Sequence, residues 1–386
     1  MNPTWDSLTA TAVDLRHHLH RNPELRWEEE QTARTVRERL DRASIAWRPC
    51  AGTGTVATLA PGAPGRHLAF RADIDALPIA EASVTTWKSL NSGVMHACGH
   101  DGHTASLMML AWWLKEHEGS LEGPVSLLFQ PAEEGGHGAK KMVEEGALEG
   151  VDAIYGWHNW PALPFGKAAC PDGPVMAANG TFAIRLTGVG GHASQPELCR
   201  DPVLAASAVT MALQQVVSRR LAPQHATVLS VTSIEAPSGE TIIPGTATLK
   251  GSYRLPDSSL RPAMDDLIAT TAARAADTYG VSADVEVRPR YEATVNHPEE
   301  AARMRTALQA ELGPDWQDGR ILLPVMASED FSYYLAEKPG AFALIGGADG
   351  DEPAHPLHSP HYDFNDRLIP RIARIFSRLA GVPAGV

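Results

Sequence analysis

The order of short apolar runs constrains this chain more than any other feature. Residues 7–40 carry a helical pattern, with polar groups around an apolar stripe. Strand-like runs at 55–59 and 67–70 follow, then a buried helix at 104–117. A strand at 125–129 leads into the loop-to-helix segment QPAEEGGHGAKKMVEEG, and residues 153–155 read as another strand. This alternation predicts an α/β fold with a mostly parallel sheet covered by helices. Near Pro171 the texture changes to the turn-rich CPDGPVMAANG. Beyond it come a strand (181–186), a helix (203–220), two strands (226–234, 247–254), a helix (262–279) and a strand (283–290). That β-α-β-β-α-β order is ferredoxin-like. From Asn296 the α/β texture resumes. The expectation is a discontinuous outer domain, 1–177 and 294–386, around an inserted α+β domain at 178–293.

The chain has 386 residues, 44% of them hydrophobic, and a formal net charge of −13. That charge argues against a nucleic-acid partner. The N-terminal stretch lacks a basic segment followed by an apolar one, which predicts no signal peptide. The longest apolar run, 105–114, is too short to span a bilayer, so no membrane association is expected. Cys50, Cys98, Cys170 and Cys199 form no disulfide framework. They read as reduced thiols of a cytoplasmic protein.

The histidines are the chemical signal. His96, Cys98, His100 and His103 fall within MHACGHDGH, with Asp101 among them. Imidazole and thiolate suit borderline divalent ions such as zinc, and Gly99 lets the loop bend around an ion. Glu133 and Glu134 directly follow a predicted strand, at the sheet edge where α/β proteins bind ligands. One carboxylate can hold metal while its neighbour serves as general base. His158, placed after a strand end in YGWHNWP, and His358 in HPLHSPHYDF are candidates to complete such a site. Spacing alone does not show that they converge.

These motifs, together with HRNPEL, FRADIDALPI, FQPAEEGG, GGHASQP, ASEDFSYYL and LHSP, give the chain a resemblance along nearly its full length. It resembles the co-catalytic metallopeptidase family of aminoacylases, hippurate hydrolases, auxin–amino-acid conjugate hydrolases and N-acetyldiaminopimelate deacetylases. The resemblance implies two divalent ions, zinc or manganese with cobalt or nickel as alternatives. Their ligands would be Cys98, bridging, with His100, Glu134, His158 and His358. It implies Glu133 as general base, with Asp101, His103 and Asp75 in supporting roles and His96 structural. It implies that the inserted domain is a lid and dimerisation surface of a homodimer or larger homo-oligomer. There His192 would reach a neighbouring subunit's site to stabilise the oxyanion, and Arg254 would bind the substrate carboxylate. One position departs from the family: Thr241 stands where an Asn usually contacts that carboxylate.

The expected reaction is metal-dependent hydrolysis of the amide bond of N-acyl amino acids, N-acetyl ones in particular, to a carboxylate and a free amino acid. An N-acetylated diamino acid is one candidate substrate. The rival enzymatic reading is a dipeptidase or carboxypeptidase using the same two-metal site. A catalytically dead binding module would lack ligands or base, and none is missing here. A purely structural zinc site would close with four Cys or His ligands rather than with flanking carboxylates.

Overall fold

The structure is a computed structural model that describes residues 4–350 and 354–385. The outermost ends of the expected outer domain, residues 1–3 and 386, lie outside the described residues, as do 351–353. The chain divides into two compact units. One is built from residues up to Val175, Thr294–Leu323 and Asp330 onward, and the other from Met176–Ala293 with Pro324–Glu329.

The first unit is centred on a seven-stranded sheet. Its order is Ala46–Pro49, Thr55–Leu59, Val125–Gln130, Leu68–Asp73, Ala153–Pro164, Gly340–Ala348, Ala168–Ala169. The four inner strands run parallel, and the flanking pairs are antiparallel. Strands of a covered parallel sheet are buried on both faces. Every residue of Val125–Gln130 is buried accordingly. Val125, Leu127 and Phe129 join the main apolar core, with the helices Trp5–Arg21, His100–Glu116 and Leu368–Leu379. The latter buries Leu368, Ile369, Ile372, Ala373, Ile375 and Phe376 at helical spacing, which fixes the face it turns to the core.

Two elements differ from the sequence expectation. The helical pattern at 7–40 is two helices, Trp5–Arg21 and Glu30–Arg42, because Pro23 cannot continue the first. The strand expected at 153–155 runs over Ala153–Pro164. It continues because Gly340–Ala348, a strand the apolar pattern did not single out, pairs with it in parallel. His158 therefore lies inside a strand, opposite Leu344, and not after a strand end.

The second unit is a four-stranded antiparallel sheet. Its order is Val228–Glu235, Thr246–Leu255, Ala178–Thr187, Ser282–Pro289, crossed by helices Pro202–Gln215 and Arg261–Asp277. In chain order this is β-α-β-β-α-β, the ferredoxin-like arrangement. Along Ala178–Thr187 burial alternates with period two, because only one face is covered. Phe182, Ile184 and Leu186 meet Ala205, Val209 and Leu213 of the first helix and Met264, Ile268 and Ala272 of the second. Residues 324–329 belong to this unit through Met176, bridged to Val325, and through the Ala177 amide, which donates to the carbonyls of Val325 and Ala327.

Candidate metal centre

The parallel strands end at one edge of the first unit, and there the polar residues gather. The strand Leu68–Asp73 delivers Asp73 and then Asp75. Gly99 caps the helix His100–Glu116 with φ 91°, a left-handed conformation that favours glycine. A β-carbon there would also sit 2.3 Å from Asn159 Oδ1. That turn places Cys98 before the helix and His100 in its first turn. After the strand Val125–Gln130, Ala132 adopts φ 54°, and the chain swings to bring in Glu133 and Glu134. His158 enters from within its strand. His358, itself at φ 65°, is tied by its amide to the Ala97 carbonyl at 2.8 Å.

Asp75 organises this group. It accepts the Glu133 amide at Oδ1 (3.1 Å) and the Glu134 amide at Oδ2 (2.9 Å). The His100 ring is anchored to the same residue, its Nδ1 lying 2.9 Å from the backbone carbonyl and 3.2 Å from Oδ1. With Nδ1 taken, His100 Nε2 is buried and has no hydrogen-bond partner among the described residues. His158 is oriented in the same way: Nδ1 donates to the Asn159 carbonyl at 2.7 Å, which leaves Nε2 3.3 Å from Cys98 Sγ. His358 Nε2 lies 3.1 Å from Glu134 Oε1.

Cys98, His100 and His158 bring three donor atoms within 4.8 Å of one another, and so do Cys98, Glu134 and His358. The two sets share the Cys98 sulfur. His100, Glu133 and Glu134 form a third overlapping group. The five sequence candidates for metal ligation, and Glu133 beside them, thus converge in one place.

Electrostatics favour cations at this point. Burial together with Glu134 and Glu133 pushes the Cys98 thiol well above its ordinary range. Burial and the neighbouring His103 hold His158 well below its usual value, as the neutral imidazole that binds metals. Burial opposes charge on His100, but Asp73, Asp75 and Glu134 outweigh it and lift that ring to about 10. Burial likewise works against an ionised Glu134, yet the contact with His358 keeps it below the ordinary carboxylate range. Asp73, Asp75, Glu133 and Glu134 crowd one largely buried volume. Buried carboxylates at this density need compensating positive charge. The orphaned His100 Nε2, the shared thiol and the carboxylate excess fit a pair of divalent ions.

Comparison with known proteins agrees with this geometry. Residues 69–381 match the family described as Peptidase family M20/M25/M40. The chain belongs to this family. It is 39% identical to an IAA-amino acid hydrolase of Arabidopsis thaliana, over 95% of this chain and 84% of the relative. It is 37% identical to an N-acetyl-L-cysteine deacetylase of Bacillus subtilis, over 94% of this chain and 86% of the relative. Among solved structures, a dinuclear metal binding peptidase from the M20 family, of Bacillus subtilis, superposes with a TM-score of 0.83 at 30% identity. That match covers 97% of this chain and 98% of the other. This M20/M25/M40 chain is accordingly a metal-dependent amidohydrolase, and two divalent ions suit its donor sets.

The remaining candidates of this family member lie in the second unit. His192 is exposed on the two-residue strand Gly191–His192, paired with Ile242–Ile243. Its Nδ1 accepts the Ser194 amide at 3.1 Å and lies 2.7 Å from that residue's hydroxyl. An accepting Nδ1 leaves the proton on Nε2, which makes that nitrogen a donor. Thr241 is exposed on the same ribbon, where its carbonyl accepts the Ala193 amide at 2.9 Å. Arg254 is half-buried and donates to the Tyr253 carbonyl at 3.0 Å. Burial and the nearby Arg290 lower its pKa, and no carboxylate lies within ion-pair distance of it among the described residues.

His103 engages both ring nitrogens, Nδ1 with Asp73 at 2.6 Å and Nε2 with Asn159 at 3.1 Å, so neither is open to a metal. Asp101 pairs with Arg16 and His20, both at 2.8 Å. His96 is buried with neither nitrogen hydrogen-bonded among the described residues, and burial drops it to about 3. The sequence reading passed over Asp73, which faces His100 Nε2 at 3.5 Å, and Asn159 and Tyr362, which join the site's floor at 2.8 Å. For Asp73 a signal existed, because the RADIDALP motif carries two acids at strand spacing.

Proposed function

We propose that this chain hydrolyses the amide bond of N-acyl amino acids, with N-acetyl as the favoured acyl group, releasing a carboxylate and a free amino acid. The observation that carries this reading is the pair of donor sets sharing the Cys98 sulfur, with Glu133 beside them. In this reading Cys98, His100 and His158 would hold one ion, and Cys98, Glu134 and His358 would hold the other. The thiolate favours a soft ion such as zinc, with manganese, cobalt or nickel as alternatives. When bound, the ions supply Lewis acidity toward the acyl carbonyl and make water acidic near neutral pH.

Glu133 takes the proton of the attacking water at its carboxylate and passes it to the leaving nitrogen. Without that transfer an amide nitrogen does not leave. Arg254 binds the α-carboxylate of the substrate, with Thr241 offering one hydroxyl hydrogen bond in place of the usual amide. Nε2–H of His192 donates to the oxyanion, reaching it from the neighbouring subunit of a homodimer. Support for association comes from the helix Pro202–Gln215, which exposes Val203, Leu204 and Met211.

The test is a substrate screen on protein reconstituted with each metal, scored by released amine. N-acetyl, benzoyl and indoleacetyl amino acids are expected to turn over, with two ions bound per chain. Preferential cleavage of dipeptides bearing a free amino terminus would replace this reading with a peptidase.

A further inference from the structure

We infer that Glu29 is a positioning residue for the general base: its buried side chain holds the left-handed turn at Ala132 and so aims Glu133 into the site. The inference rests on the proposed role of Glu133.

The strand Val125–Gln130 points past the site, and the two residues Pro131 and Ala132 redirect the chain. Ala132 does so at φ 54°, a conformation that a residue with a β-carbon keeps only where its surroundings impose it. Two bonds impose it. The Ala132 carbonyl accepts the Gly138 amide at 3.1 Å, and the Ala132 amide donates to Glu29 Oε1 at 2.8 Å. The other Glu29 oxygen accepts the Thr53 hydroxyl at 2.7 Å.

Glu29 is placed for this work at a local cost. It occupies the N-cap position of the helix Glu30–Arg42, where an acidic side chain ordinarily caps its own helix, yet it makes no such bond. Glu24 caps instead, accepting the Gln31 amide at 3.0 Å and the Thr32 amide at 2.8 Å. Glu29 is fully buried, and no cation lies within ion-pair distance of it among the described residues. Burial lifts its carboxyl to about 7, against the opposing bonds from Thr53 and Ala132. A buried acid without a cation is costly to keep. Its neighbours in sequence touch the same loops: Arg26 donates to the Glu134 carbonyl, and the Glu24 carbonyl accepts the Ala76 amide at 2.8 Å. Segment 24–29 thus braces both loops that carry the site's acids.

The test compares Glu29→Ala, Glu29→Gln and Glu133→Gln on the N-acyl amino acid turned over fastest in the screen above. Displacing a reacting group by about 1 Å costs up to ~100-fold. Glu29→Ala is therefore expected to lower kcat by about 10- to 100-fold, leaving KM and the two-ion content unchanged. Glu29→Gln keeps an oxygen for the Ala132 amide and is expected to restore most of that loss. Wild-type kcat in Glu29→Ala would overturn the inference, and so would a Glu29→Gln variant as impaired as Glu29→Ala. If Glu29→Ala does not fold, Thr53→Val carries the test, with a smaller fall in kcat at constant KM expected and unchanged kcat overturning it. An active Glu133→Gln would instead remove the role of Glu133 on which the inference rests.

Discussion

The metal centre and the His192 ribbon place their polar groups in opposite ways. At the metal centre each side chain is held from behind. His100 is pinned to Asp75, His158 to the Asn159 carbonyl, and the Glu133 and Glu134 amides to Asp75. His100, His158, Asp75 and Glu133 are buried, Glu134 is partly so, and the exposed His358 marks the open side of the centre. In the second unit His192 sits on a two-residue strand and Thr241 on the turn before the paired strand Ile242–Ile243, both exposed. Burial fixes donor geometry before any ligand arrives, which suits chemistry that needs preorganisation. Exposed groups on a short ribbon lose more freedom when they engage a substrate and suit recognition.

The largest effect that would break this contrast is expected at Glu133. Glu133→Gln should lower kcat by roughly 10²- to 10⁴-fold, the range for general acid–base catalysis. Both ions should remain on elemental analysis, because the ligand atoms are untouched. Activity near wild type would show that the buried acid is not the base. His192→Ala comes next, with kcat expected to drop roughly 10²- to 10³-fold, the scale for an oxyanion donor. Mixing it with Glu133→Gln chains, under conditions where subunits exchange, should recover part of the activity through hybrid sites. No recovery would place His192 in its own subunit's site or outside catalysis. For Arg254→Met the expected change is in KM, a rise of about 10- to 100-fold, since a hydrogen bond to a charged group contributes about 1.5–3 kcal/mol. A fall in kcat at constant KM would contradict the assigned role.

The smallest effect concerns stability and probes the support behind the metal centre. Burial lowers the affinity of His20 for a proton, but Asp101 and Glu81 outweigh it and raise the ring to about 9. A histidine whose folded value lies above the unfolded one stabilises fully below the unfolded value, about 6.5. That contribution is lost as pH rises through about 9. It is on the order of 3 kcal/mol. Denaturant midpoints of the wild type should fall between pH 6.5 and 9, while those of His20→Gln start lower and change less. Parallel curves would mean that the charge on His20 does not brace Asp101.

The candidate centre was legible in the sequence where chemistry is written in local clusters. MHACGHDGH and the paired Glu133–Glu134 announce metal and base, because such groups are costly to bury unless they work. The period-two and helical patterns likewise announce the strands and helices of both units. Less legible were the elements fixed by partners distant in sequence. The length of Ala153–Pro164, and with it the true position of His158, depends on pairing with Gly340–Ala348, nearly 200 residues away. Asn159 and Glu29 gave no local signal strong enough to rank above ordinary polar residues, whereas Asp73 was signalled by its spacing from Asp75 in RADIDALP.

By itself the sequence determined the fold class, the ferredoxin-like insertion and the kinds of donor atom available. Only the tertiary structure decided which of those atoms meet. Of the histidines near Cys98, it left His100 Nε2 and both nitrogens of His96 without a hydrogen bond among the described residues, and occupied both nitrogens of His103. The physical reason is that a ligand is defined by what holds its other side. Those holders, Asp75, Asp73 and Asn159, come from other strands and loops and reach the centre only when the sheet closes.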